Sequence, residues 1–241
     1  SIIRIPRLLA YYNSIKEVIA NYKITTFFFY LHEYSFGRIF NYVLAKNFYN
    51  IKRVGFQHGP AAKSKLLYFM GKDIISNNKK DWLRQFPIPN QVIAEDIDSK
   101  KIYENAGYEN VIVMEKIYRL DYLSSIKLKG MKNNVALIVP GLHDGFQLID
   151  KLKDHIENNP LKKFILKPHP RSGQSQYNSY ETSMPNLKAE RKHISHYLEY
   201  VSEVYVTYSS VGAEAYSLGI KVNIVNLPNK INETPLLDIK N

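Results

Sequence analysis

Lys167, Pro168, His169, Pro170 and Arg171 put two cations and an imidazole on one short segment that two prolines stiffen. Proline also keeps the residue before it out of the helical region, so His169 is expected to be held extended. This is the best candidate anion site in the chain, the plainer alternative being a rigid turn with solvated charges. Further on, Thr207-Tyr208-Ser209-Ser210-Val211-Gly212 precedes an apolar helical stretch. Ser209 or Ser210 can cap that helix, and the free N–H groups at its start suit a phosphate. Capping without a ligand is the simpler reading. Glu214 follows Ser210 by four residues, near enough to face the same place and accept hydrogen bonds from ribose hydroxyls.

The run Pro140-Gly141-Leu142-His143-Asp144-Gly145 has a different character. Gly141 and Gly145 allow a substrate to approach the backbone, and His143 and Asp144 offer a binding imidazole and a catalytic carboxylate, though a turn accounts for these residues equally well. Neither G-x-x-x-x-G-K-[ST] nor G-x-G-x-x-G is present, so P-loop NTPase and ordinary NAD-binding readings lose weight. In the first half, Glu33 and the Gln57-His58-Gly59-Pro60 segment follow strand-like runs. Glu33 or His58 could take a proton from an acceptor hydroxyl, with Gln57 binding substrate beside them. An ion pair for Glu33 and a turn hydrogen bond for His58 are equally good structural duties. His32, His155, His193 and His196 lack metal-type spacing with acidic partners, and no metal or resident cofactor is expected.

The elements that must position these residues alternate along the chain. The first half reads as a helix near Leu8 to Tyr22, an aromatic strand from Ile24 to Leu31, a helix from Phe36 to Asn47 and a buried strand from Arg53 to Gln57. After the polar Asn77-Asn78-Lys79-Lys80 come a strand from Gln91 to Ala94, a helix from Ser99 to Ala106 ending at Gly107, and a strand from Val111 to Met114. The segment from Ser124 to Asn134 is poor in large apolar residues and carries Lys127, Lys129, Lys132 and Gly130, which places a domain junction between residues 128 and 129. The second half restarts with strand Val135 to Val139, helix Phe146 to Ile156, strand Lys163 to Leu166, helix His193 to Tyr200, strand Glu203 to Thr207, helix Gly212 to Leu218 and strand Lys221 to Val225. Such alternation predicts an α/β fold with parallel sheets, whose ligands sit beyond the carboxyl ends of the strands. Two such units, 1–128 and 129–241, are expected to face each other across a cleft.

Composition bounds the rest. The chain has 241 residues, 45% of them hydrophobic and 13% aromatic, a formal charge of +11 and no cysteine. These values exclude a disordered chain, a disulfide scaffold and a Cys-ligated zinc site. The longest apolar run, around Phe27 to Leu31, falls far short of a membrane span. The chain opens on Ser1 without a visible leader, and an internal fragment of a longer cytoplasmic protein is expected. The lysine excess suits an anionic partner, including peripheral contact with the inner membrane face. A nucleic-acid-binding module is the reading from a different class, prompted by +11 and 19 tyrosines. With no dense basic stripe and no RNA-binding motif, a nucleic-acid partner is not expected.

Taken together, Lys167-Pro168-His169-Pro170, Tyr208-Ser209-Ser210 and Glu214-Ala215 followed by Gly219-Ile220-Lys221-Val222 resemble the donor-binding half of GT-B glycosyltransferases. The His-Pro motif with a downstream Ser-Ser pair is similar to bacterial sialyltransferases and Kdo transferases that use CMP-sugars, and to CDP-glycerol glycerophosphotransferases, whose His-Gly loop Gln57-His58-Gly59 also resembles. The resemblance implies two Rossmann-like domains, truncated here, and a metal-independent transfer of a sialic acid or Kdo type sugar from a CMP donor to a bacterial surface glycan or lipid-linked glycan. By it, His169 with Lys167 or Arg171 would bind the donor phosphate, Ser209 and Ser210 its oxygens, Glu214 the ribose, and Glu33 or His58 would be the acceptor-side base. The alternatives it leaves open are transfer of glycerol or ribitol phosphate from a CDP donor, and a scaffold that binds donor without turnover.

Overall fold

A computed structural model describes residues 4–30, 33–57, 59–69, 71, 74–75, 86–129, 134–173 and 175–239. The chain divides into two compact units, Ser1–Lys116 and Ile117–Asn241. The first contains α1 (Arg4–Ala20), β1 (Thr26–Tyr30), α2 (Ser35–Asn47), β2 (Lys52–Phe56), β3 (Gln91–Ala94), α3 (Ile97–Asn105) and β4 (Val111–Val113). Its four strands pair in parallel in the order β1-β2-β3-β4. Apolar residues at helical spacing draw α1 and α2 together, with Ile15 and Ile19 meeting Val43, Leu44 and Ile51. A second cluster joins Val92 and Ala94 of β3 to Ile102, Tyr103 and Tyr108. The Asp96 side chain caps α3 by accepting the Ser99 N–H at 2.7 Å, and Gly107, at φ 95°, ends it where the sequence places the stop.

The second unit opens with a 3₁₀ segment, Tyr118–Ser125, then runs β5 (Val135–Val139), α4 (Gly145–Glu157), β6 (Lys163–Leu166), α5 (Asn178–Ser183), β7 (Leu187–Ala189), α6 (Ile194–Leu198), β8 (Glu203–Val206), α7 (Val211–Ser217), β9 (Lys221–Ile224) and α8 (Leu236–Ile239). The five strands are parallel, in the order β7-β6-β5-β8-β9. β5 is apolar at every position because both its faces are covered. Ala136 and Ile138 enter one core with Leu148, Ile149, Leu152 and Ile156 of α4, while Leu137 and Val139 enter the other with Tyr197, Leu198 and Ala215. Each fully buried Leu, Ile or Val side chain among them is worth about 1.5–3 kcal/mol of transfer free energy.

The alternating parallel architecture is the one the sequence predicts, with two additions. The units divide at Lys116, ahead of the lysine-rich segment read as the junction, because Tyr122, Leu123 and Ile126 pack against the core of the second unit. The stretch between β6 and α6, unassigned from sequence, holds α5 and β7. Among the described residues no helix is long and apolar enough to cross a membrane.

Candidate functional site

The order of the second sheet reverses at β5, whose neighbours β6 and β8 continue the chain in opposite directions. In an open parallel sheet that reversal parts the loops at the carboxyl ends and leaves a crevice for a ligand. Three loops meet there: 140–144 after β5, 167–173 after β6, and 207–210 after β8. They carry His143 and Asp144, then Lys167, His169 and Arg171, then Ser209 and Ser210, with Glu214 behind them on α7.

The β6 loop is built as the prolines imply. Pro168 is buried, and the Ser172 N–H donates to the His169 carbonyl at 2.8 Å, closing a tight turn. The Arg171 N–H donates to His169 Nδ1 at 3.2 Å, so the neutral ring carries its proton on Nε2. Burial lowers the His169 pKa, and Arg171, Lys167 and His143 lower it further against the opposing pull of Asp144. Lys167 is also lowered, by burial first and by Arg191 next, while Glu214 favours its charge. These influences place a group of cations and imidazoles within electrostatic reach of one another. Arg191, which the sequence reading passes over, also donates to the Ser172 carbonyl and ties down the loop. It follows the short β7, so recognising that strand would have drawn attention to it.

Asp144 stands at the N-cap position of α4 but does not cap it. Its side chain, only 1% exposed, turns to the β8 loop, where Thr207 Oγ1 donates to Oδ2 at 2.5 Å, and Oδ1 has no partner among the described residues. At the adjacent glycines the close approach is made by tyrosines. A methyl group on Gly141 would come within 2.2 Å of the Tyr208 ring, and one on Gly145 within 2.2 Å of the Tyr177 hydroxyl. Gly141→Ala is therefore expected to displace Tyr208 and lower stability by about 1–3 kcal/mol, the usual result of overfilling a packed site; a thermal melt of the variant checks this, and an unchanged melting temperature would show that the ring yields freely.

The two serines divide their duties. Ser209 Oγ accepts the Val211 N–H at 3.4 Å, while Ser210 Oγ donates to Glu214 Oε1 at 3.2 Å instead of capping α7. Glu214 is buried and also receives the Tyr122 hydroxyl on Oε2 at 2.5 Å, with Arg119 Nη1 at 3.6 Å from Oε1. Neither Arg119 nor Tyr122 carries a motif signal in the sequence.

The remaining candidates belong to the first unit. Glu33 follows β1, is 2% exposed, and has its carboxyl pKa raised by burial against its own backbone hydrogen bond, Lys65 and Arg38. It lies beside three edge-packed tyrosines, with Tyr68–Tyr103 ring centroids at 5.0 Å and Tyr103–Tyr108 at 5.2 Å. The buried Gln57 amide is engaged within the protein: Nε2 donates to the Gly59 carbonyl at 2.6 Å and Ser99 Oγ at 3.0 Å, and Oε1 accepts the Glu95 N–H at 3.0 Å. It binds the end of β2 to β3 and α3. His58 lies outside the described residues.

No family model and no curated protein matches the chain. Among solved structures it is similar to the UDP-N-acetylglucosamine 2-epimerase of Rickettsia bellii, with 11% identity and a TM-score of 0.55 over 92% of this chain and 62% of that one. It is also similar to the Methanocaldococcus jannaschii UDP-GlcNAc 2-epimerase in complex with UDP-GlcNAc and UDP, with 12% identity and a TM-score of 0.52 over 88% of this chain and 62% of that one. The chain thus spans about three-fifths of these neighbours' length. The likeness is one of fold, the GT-B-like succession of two Rossmann-type units found in these nucleotide-sugar enzymes.

Proposed function

We propose that the second unit binds the phosphate and ribose of a nucleotide sugar, and that the chain is part of an enzyme that transfers the sugar to a surface glycan without a metal. The observation that supports this reading is that Lys167, His169 and Arg171 follow β6 while Ser209, Ser210 and Glu214 follow β8, the two strands flanking β5 where the sheet order reverses, with Lys167 within electrostatic reach of Glu214. A nucleotide-sugar donor leaves as an anionic phosphate. Cations and N–H or O–H donors aimed at that anion stabilise the charge that develops as the glycosidic bond breaks, each contact contributing about 2–4 kcal/mol. In this reading His169 Nε2–H and Lys167 hold the phosphate, the Ser209 hydroxyl donates to it, the Ser210 hydroxyl joins only by turning from Glu214, and Glu214 accepts the ribose hydroxyls. Glu33, with its raised pKa, is the proposed acceptor-side base, a role suited to a carboxyl that burial brings nearer neutrality.

The resemblance in the sequence favours a CMP-linked sialic acid or Kdo type sugar, and the fold is shared with enzymes of UDP-GlcNAc, so the test includes both pyrimidines. The chain is titrated calorimetrically with CMP, CDP, UDP and GDP, first without metal and then with magnesium. Metal-free binding that favours a pyrimidine nucleotide is the expected result, with a cytidine preference selecting the CMP-donor form. Failure of every nucleotide to bind would overturn the donor-site assignment.

A further inference from the structure

Both oxygens of the Glu214 carboxylate are engaged by side chains, and two of these come from a segment distant in sequence. Arg119 and Tyr122 lie on the 3₁₀ segment Tyr118–Ser125, and the Tyr122 hydroxyl reaches Glu214 across 92 residues of chain. The Tyr122 ring is fixed by contacts unrelated to its hydroxyl. It stands T-shaped to the His193 ring, with centroids 5.4 Å apart and planes at 82°, and it packs on the core that Leu198, Val204 and Ala215 help to form. Burial and Glu214 hold its phenol proton far more tightly than usual, so the hydroxyl remains a donor at any working pH.

Each carboxylate oxygen has two acceptor directions. Tyr122 uses one on Oε2 and Ser210 one on Oε1, while Arg119 Nη1, at 3.6 Å from Oε1, is too far for a hydrogen bond, which leaves each oxygen able to accept again. A glutamate side chain free to rotate would lose that freedom on meeting a ligand, and fixing it beforehand removes the cost. Two neighbouring hydroxyl groups on one ligand are what a carboxylate held in this way can receive.

We propose that Tyr122, assisted by Arg119, is a positioning residue that holds Glu214 for the ribose hydroxyls of the nucleotide and so sets a preference for ribonucleotides over deoxyribonucleotides. This rests on the donor-site reading above. The probes are UDP and CDP with their 2′,3′-dideoxy counterparts, titrated into the full chain and into Tyr122→Phe and Arg119→Gln. The unaltered chain is expected to favour the ribonucleotide. Tyr122→Phe, which keeps the ring, is expected to lose about 10–100-fold of that preference while binding the dideoxy form as before, the size of effect a hydrogen bond to a charged group carries. Arg119→Gln is expected to lose about 2–5-fold, as suits a long and partly exposed ion pair. Equal weakening of both forms, or no change in either, would overturn the proposal. Should Tyr122→Phe fail to fold, Arg119→Gln decides by the same criterion, since its side chain is 30% exposed. If the unaltered chain binds neither nucleotide, the donor-site reading fails and takes this inference with it. If it binds both forms alike, the donor phosphate site stands and this inference alone is overturned.

Discussion

His169→Ala should lower turnover of the proposed nucleotide-sugar donor by about 10²–10³-fold, because in that reading it removes a fixed donor from the place where phosphate charge develops. The geometry supports a loss of this size at His169 more than at its neighbours. Arg171 is exposed, whereas the His169 ring is partly buried, is fixed by the Arg171 N–H on Nδ1, and directs its remaining N–H away from that turn. The same surroundings give the effect a pH dependence. Burial, Arg171, Lys167 and His143 lower the pKa of the free imidazole, with Asp144 opposing them. A bound phosphate favours the imidazolium, in which Nδ1 gives up the Arg171 N–H to carry a proton of its own, and shifts the pKa back up, so binding takes up a proton at pH values between the lowered and the raised pKa. Affinity for a CMP- or UDP-linked sugar, whose esterified phosphates do not titrate near neutrality, is therefore expected to rise as pH falls through the bound-state pKa and to level off below the free-state pKa. Calorimetry in buffers of different ionisation enthalpy reads the proton directly. A parent whose affinity is flat from pH 8 to pH 5, or a His169→Ala variant that keeps the parent's slope, would remove His169 from the phosphate site.

What the sequence discloses and what it conceals follow different physics. Strands such as Val135–Val139 and Lys163–Leu166 are legible to the residue because continuous apolar runs bounded by polar turns have few other destinations. β7 is concealed because it has three residues, with exposed Lys188 between buried Leu187 and Ala189, too short for any period to register. Within the site, the residues that announce themselves are local in sequence. Lys167, His169 and Arg171 share one loop, and Ser210 and Glu214 share one helical turn. Arg191, Arg119 and Tyr122 are placed by long-range contacts that no spacing encodes. Gly141 and Gly145 illustrate the converse. Their types are read as leaving room for a substrate beside the backbone, whereas the atoms that approach belong to Tyr208 and Tyr177, and only coordinates can supply that.

At the opposite end of the same sheet, Glu203→Gln is expected to destabilise the second unit by about 2–3 kcal/mol at neutral pH without affecting nucleotide binding. Glu203 opens β8, with only 4% of its surface exposed, and its carboxylate gathers donors from three elements. Lys162 and the Tyr205 hydroxyl donate to Oε1, while Asn223 and Lys221 donate to Oε2 at 2.8 Å and 3.0 Å. Removing the charge from a buried pair costs about 3–5 kcal/mol, and the expected value is smaller because Lys221 is itself 70% exposed. For a unit within a chain of this size, that loss corresponds to a melting temperature lower by about 4–10 °C. Burial alone would raise the Glu203 pKa, but the hydrogen bonds from Lys162, Asn223 and Lys221 overcome it and bring the carboxyl from 4.5 down to about 2. A depressed carboxylate stabilises the fold above its unfolded pKa and loses that contribution as pH falls through its folded one. The gap in stability between parent and variant should therefore be full at pH 7, narrow below about 4.5, and close near 2. Denaturation at pH 7 and pH 3 measures it; a gap of equal size at both would place the effect in packing and not in the charge.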